Sequence, residues 1–226
     1  MGVQIQGASG TIVEAGLFSP AALHVSCKPD QYGTLGHYQF SGQTGAIGAG
    51  AGANSELLQM RWVDATRLCI IKKVLITGMR ATTAFAAGAI DLKLNRATGW
   101  SGDGTGGTAV TVTGQELRLR TSMGLTLFST GFRIATTAAL GAGTKTVTSQ
   151  EVGTITTHSS AGPGAATPII GSIYLPTYDL FEHDASDGEH PIVLVQNEGI
   201  VIRATVPATG VWNLGMTVKW AEVTAF

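Results

Sequence analysis

The chain has 226 residues and a formal net charge of −1, with 44% hydrophobic but only 13% charged residues. This balance gives no electrostatic pull toward nucleic acid or an anionic membrane, and no apolar run reaches the roughly 18 residues needed to span a bilayer. A typical soluble domain carries about 25% charged residues. A chain so poor in charge, with 31 glycines, has little with which to cover a solitary surface, so burial against copies or partners is expected.

Taken in chain order, residues 1–20 are weakly patterned and read as an N-terminal arm. They lack the basic start and apolar core of a signal peptide. Residues 21–226 read as one β-sandwich domain. Within it, Leu23, Val25 and Cys27 alternate with His24, Ser26 and Lys28. Tyr38 and Phe40 alternate with His37, Gln39 and Ser41, and Leu58, Met60 and Trp62 alternate with Gln59 and Arg61. A period of two places the apolar side chains on one face of a strand. Residues 67–77 are apolar on both faces. That predicts a central strand covered on both sides, or a bulge near Lys72 and Lys73. Ile90, Leu92 and Leu94 return to alternation.

Long loops are expected at 42–54, 98–108 and 159–168, all rich in Gly, Ala or Pro. Residues 116–127 come nearest to a helical period, but Thr121, Gly124 and Thr126 weaken it. The C-terminal third carries strands at 192–195, 200–206 and 212–220, separated by short turns at Asn197-Glu198-Gly199 and 207–210. Their spacing predicts a three-stranded antiparallel meander. The fold class is therefore all-β: an antiparallel sandwich, jelly-roll-like, of about eight strands.

Few motifs carry chemistry. Gly102 to Gly107 matches G-x-G-x-x-G, but strand-like residues follow where a dinucleotide fold needs a helix N-terminus. Gly99-Trp100-Ser101-Gly102 lacks the final spacing of a nucleophile elbow. Glu182, His183, Asp184, Asp187, Glu189 and His190 form the one dense group of potential ligands. Their spacing is not that of a calcium loop, and a solvated hairpin tip is the expected outcome. Cys27 and Cys69 read as unlinked thiols. Trp62, Trp212 and Trp220 fall at in-phase apolar positions and read as core. Trp100 lies among glycines, either as an exposed contact residue or as a tucked-in anchor of its loop. No catalytic residue, no cofactor and no metal are expected.

Several segments resemble uncharacterised structural proteins of tailed phages: Ser55 to Arg67, Thr83 to Gly88, Asp103 to Thr108, Arg120 to Gly124, Gln196 to Arg203 and Val218 to Val223. The resemblance implies a virion component rather than an enzyme. It does not say which; the β-rich pattern, low charge, small-residue loops and absence of chemistry point to a capsid decoration or cement protein whose partners are the major capsid protein or other virion proteins. The localisation it implies is the virion, assembled in the host cytoplasm. Closed symmetry is the default for identical subunits, and a homotrimer suits a three-fold site on a shell. A tail, baseplate or receptor-binding component with a carbohydrate-binding sandwich is the alternative.

Overall fold

The computed structural model describes residues 4–6, 12–14, 36–48, 51–112, 117–119, 121–128, 130–159, 177–184 and 190–225. The chain divides into two units, Met1–Gln31 and Tyr32–Phe226. Within the first, β1 (Gln4–Gln6) pairs antiparallel with β2 (Ile12–Glu14). The strand expected around Leu23 to Cys27 lies outside the described residues.

The second unit is an all-β sandwich; no helix occurs among the described residues. Its strands are β3 (Gly36–Gln43), β4 (Ser55–Trp62), β5 (Leu68–Thr83), β6 (Gly88–Gly102), β7 (Thr108–Ala109) and β8 (Phe132–Ile134). Then come β9 (Thr144–Ser159), β10 (Tyr178–Glu182), β11 (Ile192–Leu194), β12 (Glu198–Thr205) and β13 (Val211–Val223). One sheet runs β10-β5-β13-β3, with β11 also on β5. The other runs β7-β8-β4-β12-β6-β9. Every pairing is antiparallel.

Alternation decides which side chains meet between the sheets. Leu58, Met60 and Trp62 of β4 and Ile90, Leu92 and Leu94 of β6 share one buried cluster with Trp212, Leu214, Met216, Val218 and Trp220 of β13. Aromatic rings concentrate at one end of it. The Trp62 and Phe128 centroids lie 4.9 Å apart, those of Phe128 and Trp220 5.3 Å, and those of Tyr38 and Trp220 5.7 Å. Each such pair contributes about 0.5–1.5 kcal/mol beyond the area it buries.

At the same end a carboxylate is buried with the rings. Glu222 is 1% exposed. It accepts hydrogen bonds from Thr126 Oγ1 (2.5 Å), the Leu127 N–H (3.0 Å to Oε2) and Trp220 Nε1 (3.1 Å). These bonds tie residues 126–127 to the sheet. Burial pushes the Glu222 carboxyl above its ordinary range, against the pull of these donors. Burial, with the nearby Glu222 charge, also raises the Tyr38 hydroxyl to about 12.

Strand β5 is central, as residues 67–77 predict, and it also carries a bulge: Lys219 faces Lys73 and Trp220 faces Ile71, which leaves Lys72 as the extra residue. The expected C-terminal meander is overturned. All three strands exist, but β11 pairs with β5, β12 with β4 and β6, and β13 with β5 and β3. The turns at Asn197 and 207–210 therefore carry the chain from one sheet to the other and back. A strand with one apolar face can bury it against a strand lying across the core, and alternation does not distinguish a neighbour beside from a neighbour opposite. Residues 117–119, near the weak helical signal, instead pair along β3, through Gln39 N–H to Leu117 O and Leu119 N–H to His37 O.

Candidate functional site

On the outer face of the six-stranded sheet the glycine-rich residues 103–107 and 139–143 lie over polar side chains of β4; of the third expected loop, residues 160–168 lie outside the described residues. Along β4, Gln59 and Arg61 alternate with the core residues and so face outward. A bulge adds Glu56: Ile202 faces Leu58 while Arg203 faces Glu56, so Leu57 is the extra residue and turns into the core. The bulge places the Glu56 carboxylate on the same side as Gln59.

Gln59 is fully buried. Its Nε2 donates to Glu56 Oε2 at 2.5 Å and to Gly141 O at 2.8 Å. Its Oε1 has no hydrogen-bond partner among the described residues. Lys145, at the start of β9, reaches the same Glu56 Oε2 at 2.8 Å and donates also to Ala142 O. The Lys145 side chain is 1% exposed. Its Nζ sits 4.7 Å from the centre of the Trp100 ring, within cation–π range.

A second polar group stands beside the first. Arg61 Nη1 meets Asp103 Oδ1 at 3.0 Å and Nη2 donates to Asn197 Oδ1 at 2.8 Å. Asn197 holds φ at 64°, in the left-handed region that Asn tolerates at a turn. Further along, Asn95 donates to Thr148 O at 3.0 Å and accepts from Arg203 Nε at 3.0 Å.

These side chains fix loops that glycine alone would leave loose. A Cβ on Gly104 would lie 2.2 Å from Gly141 O and 2.3 Å from Gln59 Oε1. At Gly143, φ is +68° and a Cβ would lie 2.4 Å from Gly102 O. The close backbone approach that these glycines permit is thus used inside the chain.

Trp100 is not an exposed contact residue, and it does not lie in a loop. It belongs to β6, is 0% exposed, and packs on Ala97, Val201 and Val147 on the outer face of the sheet. Its Nε1 donates to Gly102 O at 3.1 Å. The ring lies against Gly199, where a Cβ would come within 2.8 Å of it; it is tucked in, on a strand rather than in a loop.

Of the group at 182–190, Glu182, His183, Asp184 and His190 are described. Glu182 and Asp179 both pair with Lys73, at 3.0 and 2.9 Å. His183 is buried, and residues 185–189 lie outside the described residues. Among the described residues no three His, Cys, Asp or Glu side chains are grouped to hold a metal ion. Cys69 is a buried free thiol, raised well above its ordinary pKa by burial and by Glu222; His24 and Cys27 lie outside the described residues. On the outer face of the other sheet, Gly78 and Gly215 adjoin a shallow depression of about 360 Å³ rimmed by Gln43, Thr77, Arg80 and Asn213.

Sequence reasoning passed over Glu56, Gln59 and Lys145. Gln59 reads as one more polar residue of an alternating strand, and nothing local marks the bulge at Leu57. No family model, no curated protein and no solved structure matches the chain.

Proposed function

We propose that this chain is a virion structural protein of a tailed phage, a capsid decoration or cement protein that works as a homotrimer against the major capsid protein. The observation that carries the reading is the clamped loop face. Loops of small residues, held from below by a buried lysine, a buried glutamine and an Arg61–Asp103 pair, present a stiff relief of backbone. A binding surface that is already ordered loses less conformational entropy on docking.

The strand order supports a jelly roll, a fold used by capsid proteins. Among the eight main strand positions, β3 pairs with β13, β4 with β12, β5 with β10 and β11, and β6 with β9. First thus meets last, and second meets next-to-last. The low charge and the resemblance of residues from Ser55 onward support the virion assignment. A receptor-binding, carbohydrate-binding role draws less support, because the depression beside Gly78 and Gly215 is lined by no aromatic ring on which a sugar could stack.

The test is to mix the purified chain with assembled capsids that lack it, and to measure its own sedimentation. A trimer that co-sediments with the capsids is expected. A single 23.3 kDa species at micromolar concentration, failing to bind capsids, overturns the proposal.

A further inference from the structure

We propose that Lys145 and Gln59 form an intramolecular isopeptide bond, with Glu56 moving the protons. The proposal rests on the placement of three side chains and is independent of the virion reading.

Three features point to it. An amine and a carboxamide nitrogen are bonded to one and the same carboxylate oxygen, Glu56 Oε2, at 2.8 and 2.5 Å. The reacting groups are therefore already held together, and such fixed proximity supplies much of what an otherwise slow amide exchange lacks. All three are shut off from bulk water: Gln59 is 0% exposed, and the Lys145 and Glu56 side chains are 1% and 10% exposed. The Trp100 ring covers the amine, and the Gly104 backbone lies against the carboxamide. Lastly, the Gln59 carbonyl oxygen lies in a buried site without a donor among the described residues. That is costly for a resting hydrogen-bond network, and it leaves the oxygen able to accept a proton donor as charge develops on it.

The chemistry balances without any further reagent. Glu56 takes a proton from the Lys145 ammonium. The neutral Nζ attacks Gln59 Cδ, and the carbonyl π electrons move to Oε1. Collapse of the tetrahedral centre breaks the Cδ–Nε2 bond, and Glu56 returns its proton to the departing nitrogen. The amine's second proton also goes to that nitrogen, so the group leaves as ammonium and Glu56 ends as the carboxylate it began as. Nothing is oxidised or reduced. The product links β4 to β9, which no backbone ladder joins directly. It closes a covalent loop around the residues 99–107 and 137–143 that the cluster clamps.

The measurement is the intact mass of the folded full-length protein, followed by a tryptic map. The expected mass lies about 17 Da below that of the sequence, the mass of one ammonia. The map should contain one branched peptide joining the segments that carry Gln59 and Lys145. In Lys145→Met and in Glu56→Gln the deficit should vanish. Wild-type protein at full sequence mass, with Lys145 and Gln59 recovered in separate linear peptides, overturns the proposal. So does a deficit that persists in either variant. The wild-type mass is decisive by itself, so a variant that fails to fold leaves the test intact.

Discussion

On one side of β4, Leu58, Met60 and Trp62 enter an apolar core. On the other, Glu56, Gln59 and Arg61 lie under glycine-rich loops. Both sides are buried, yet different physics holds them. The core gains by removing apolar area from water, a term that is non-directional and tolerates repacking of similar volume. The polar side gains only if each donor finds its acceptor, because a buried polar group left unpaired costs more than a good pair returns. One side should therefore respond to lost volume and the other to displaced geometry.

The largest effect is expected on the core side. Trp220 is 1% exposed, and its ring lies against Tyr38, Phe128 and Phe132. Trp220→Ala should cost about 3–5 kcal/mol, the range for removing a large buried aromatic. Denaturant unfolding should show a lowered midpoint at unchanged slope. A loss under about 1 kcal/mol would mean that the aromatic cluster is not the centre of stability, on the same scale.

A middling effect is expected on the polar side, from an added methyl rather than a removed ring. Gly104→Ala drives a Cβ to 2.2 Å from the Gly141 carbonyl oxygen. Backbone cannot swing aside as a side-chain end can, so a cost of about 1–3 kcal/mol is expected. Gly52→Ala is the control: nothing lies within 4 Å of its Cβ, and a change within about 0.5 kcal/mol is expected. Equal unfolding midpoints for the two variants would show that the loops rest loosely on the sheet, and would remove the observation on which the proposed function stands.

The two sides also differ in how far they could be read from sequence. Period two identified Leu58, Met60, Trp62, Ile90, Leu92 and Leu94 as core because it depends only on neighbours along the chain. It also placed Trp62, Trp212 and Trp220 correctly. The same rule could not tell that β11, β12 and β13 alternate between sheets, since pairing is a choice among distant partners. Trp100 illustrates a second limit. Its glycine-rich surroundings suggested exposure, but glycine equally lets backbone close over a ring. The cluster of Glu56, Gln59 and Lys145 joins residues up to 89 positions apart. It also depends on a bulge at Leu57 that leaves no mark in the local pattern.

The smallest expected effect is a slope with pH, and it concerns the one carboxylate that sits with the core. Glu222 is raised above its ordinary value of 4.5, first by burial. The folded protein therefore holds this proton to a higher pH than the unfolded chain does. Below 4.5 both states are protonated and the group contributes no slope. Between the unfolded and the folded value the folded state binds more protons, so stability falls as pH rises through that window. Above the folded value both are ionised and the slope ends. Glu222→Gln cannot titrate, so the stability of wild type relative to this variant should decline as pH rises from 4.5 and then level off. Taking the difference between the two proteins cancels the titrating groups that Glu222 does not touch; those coupled to its charge, Asp64 below this window and Tyr38 and Cys69 above it, titrate outside it. The amide also loses acceptor capacity toward Thr126, Leu127 and Trp220; that loss sets the offset between the two curves rather than their divergence with pH. A difference that stays flat, or grows with pH, would show that the three donors outweigh burial. Glu222 would then belong with the satisfied polar groups of the outer face rather than with the core that surrounds it.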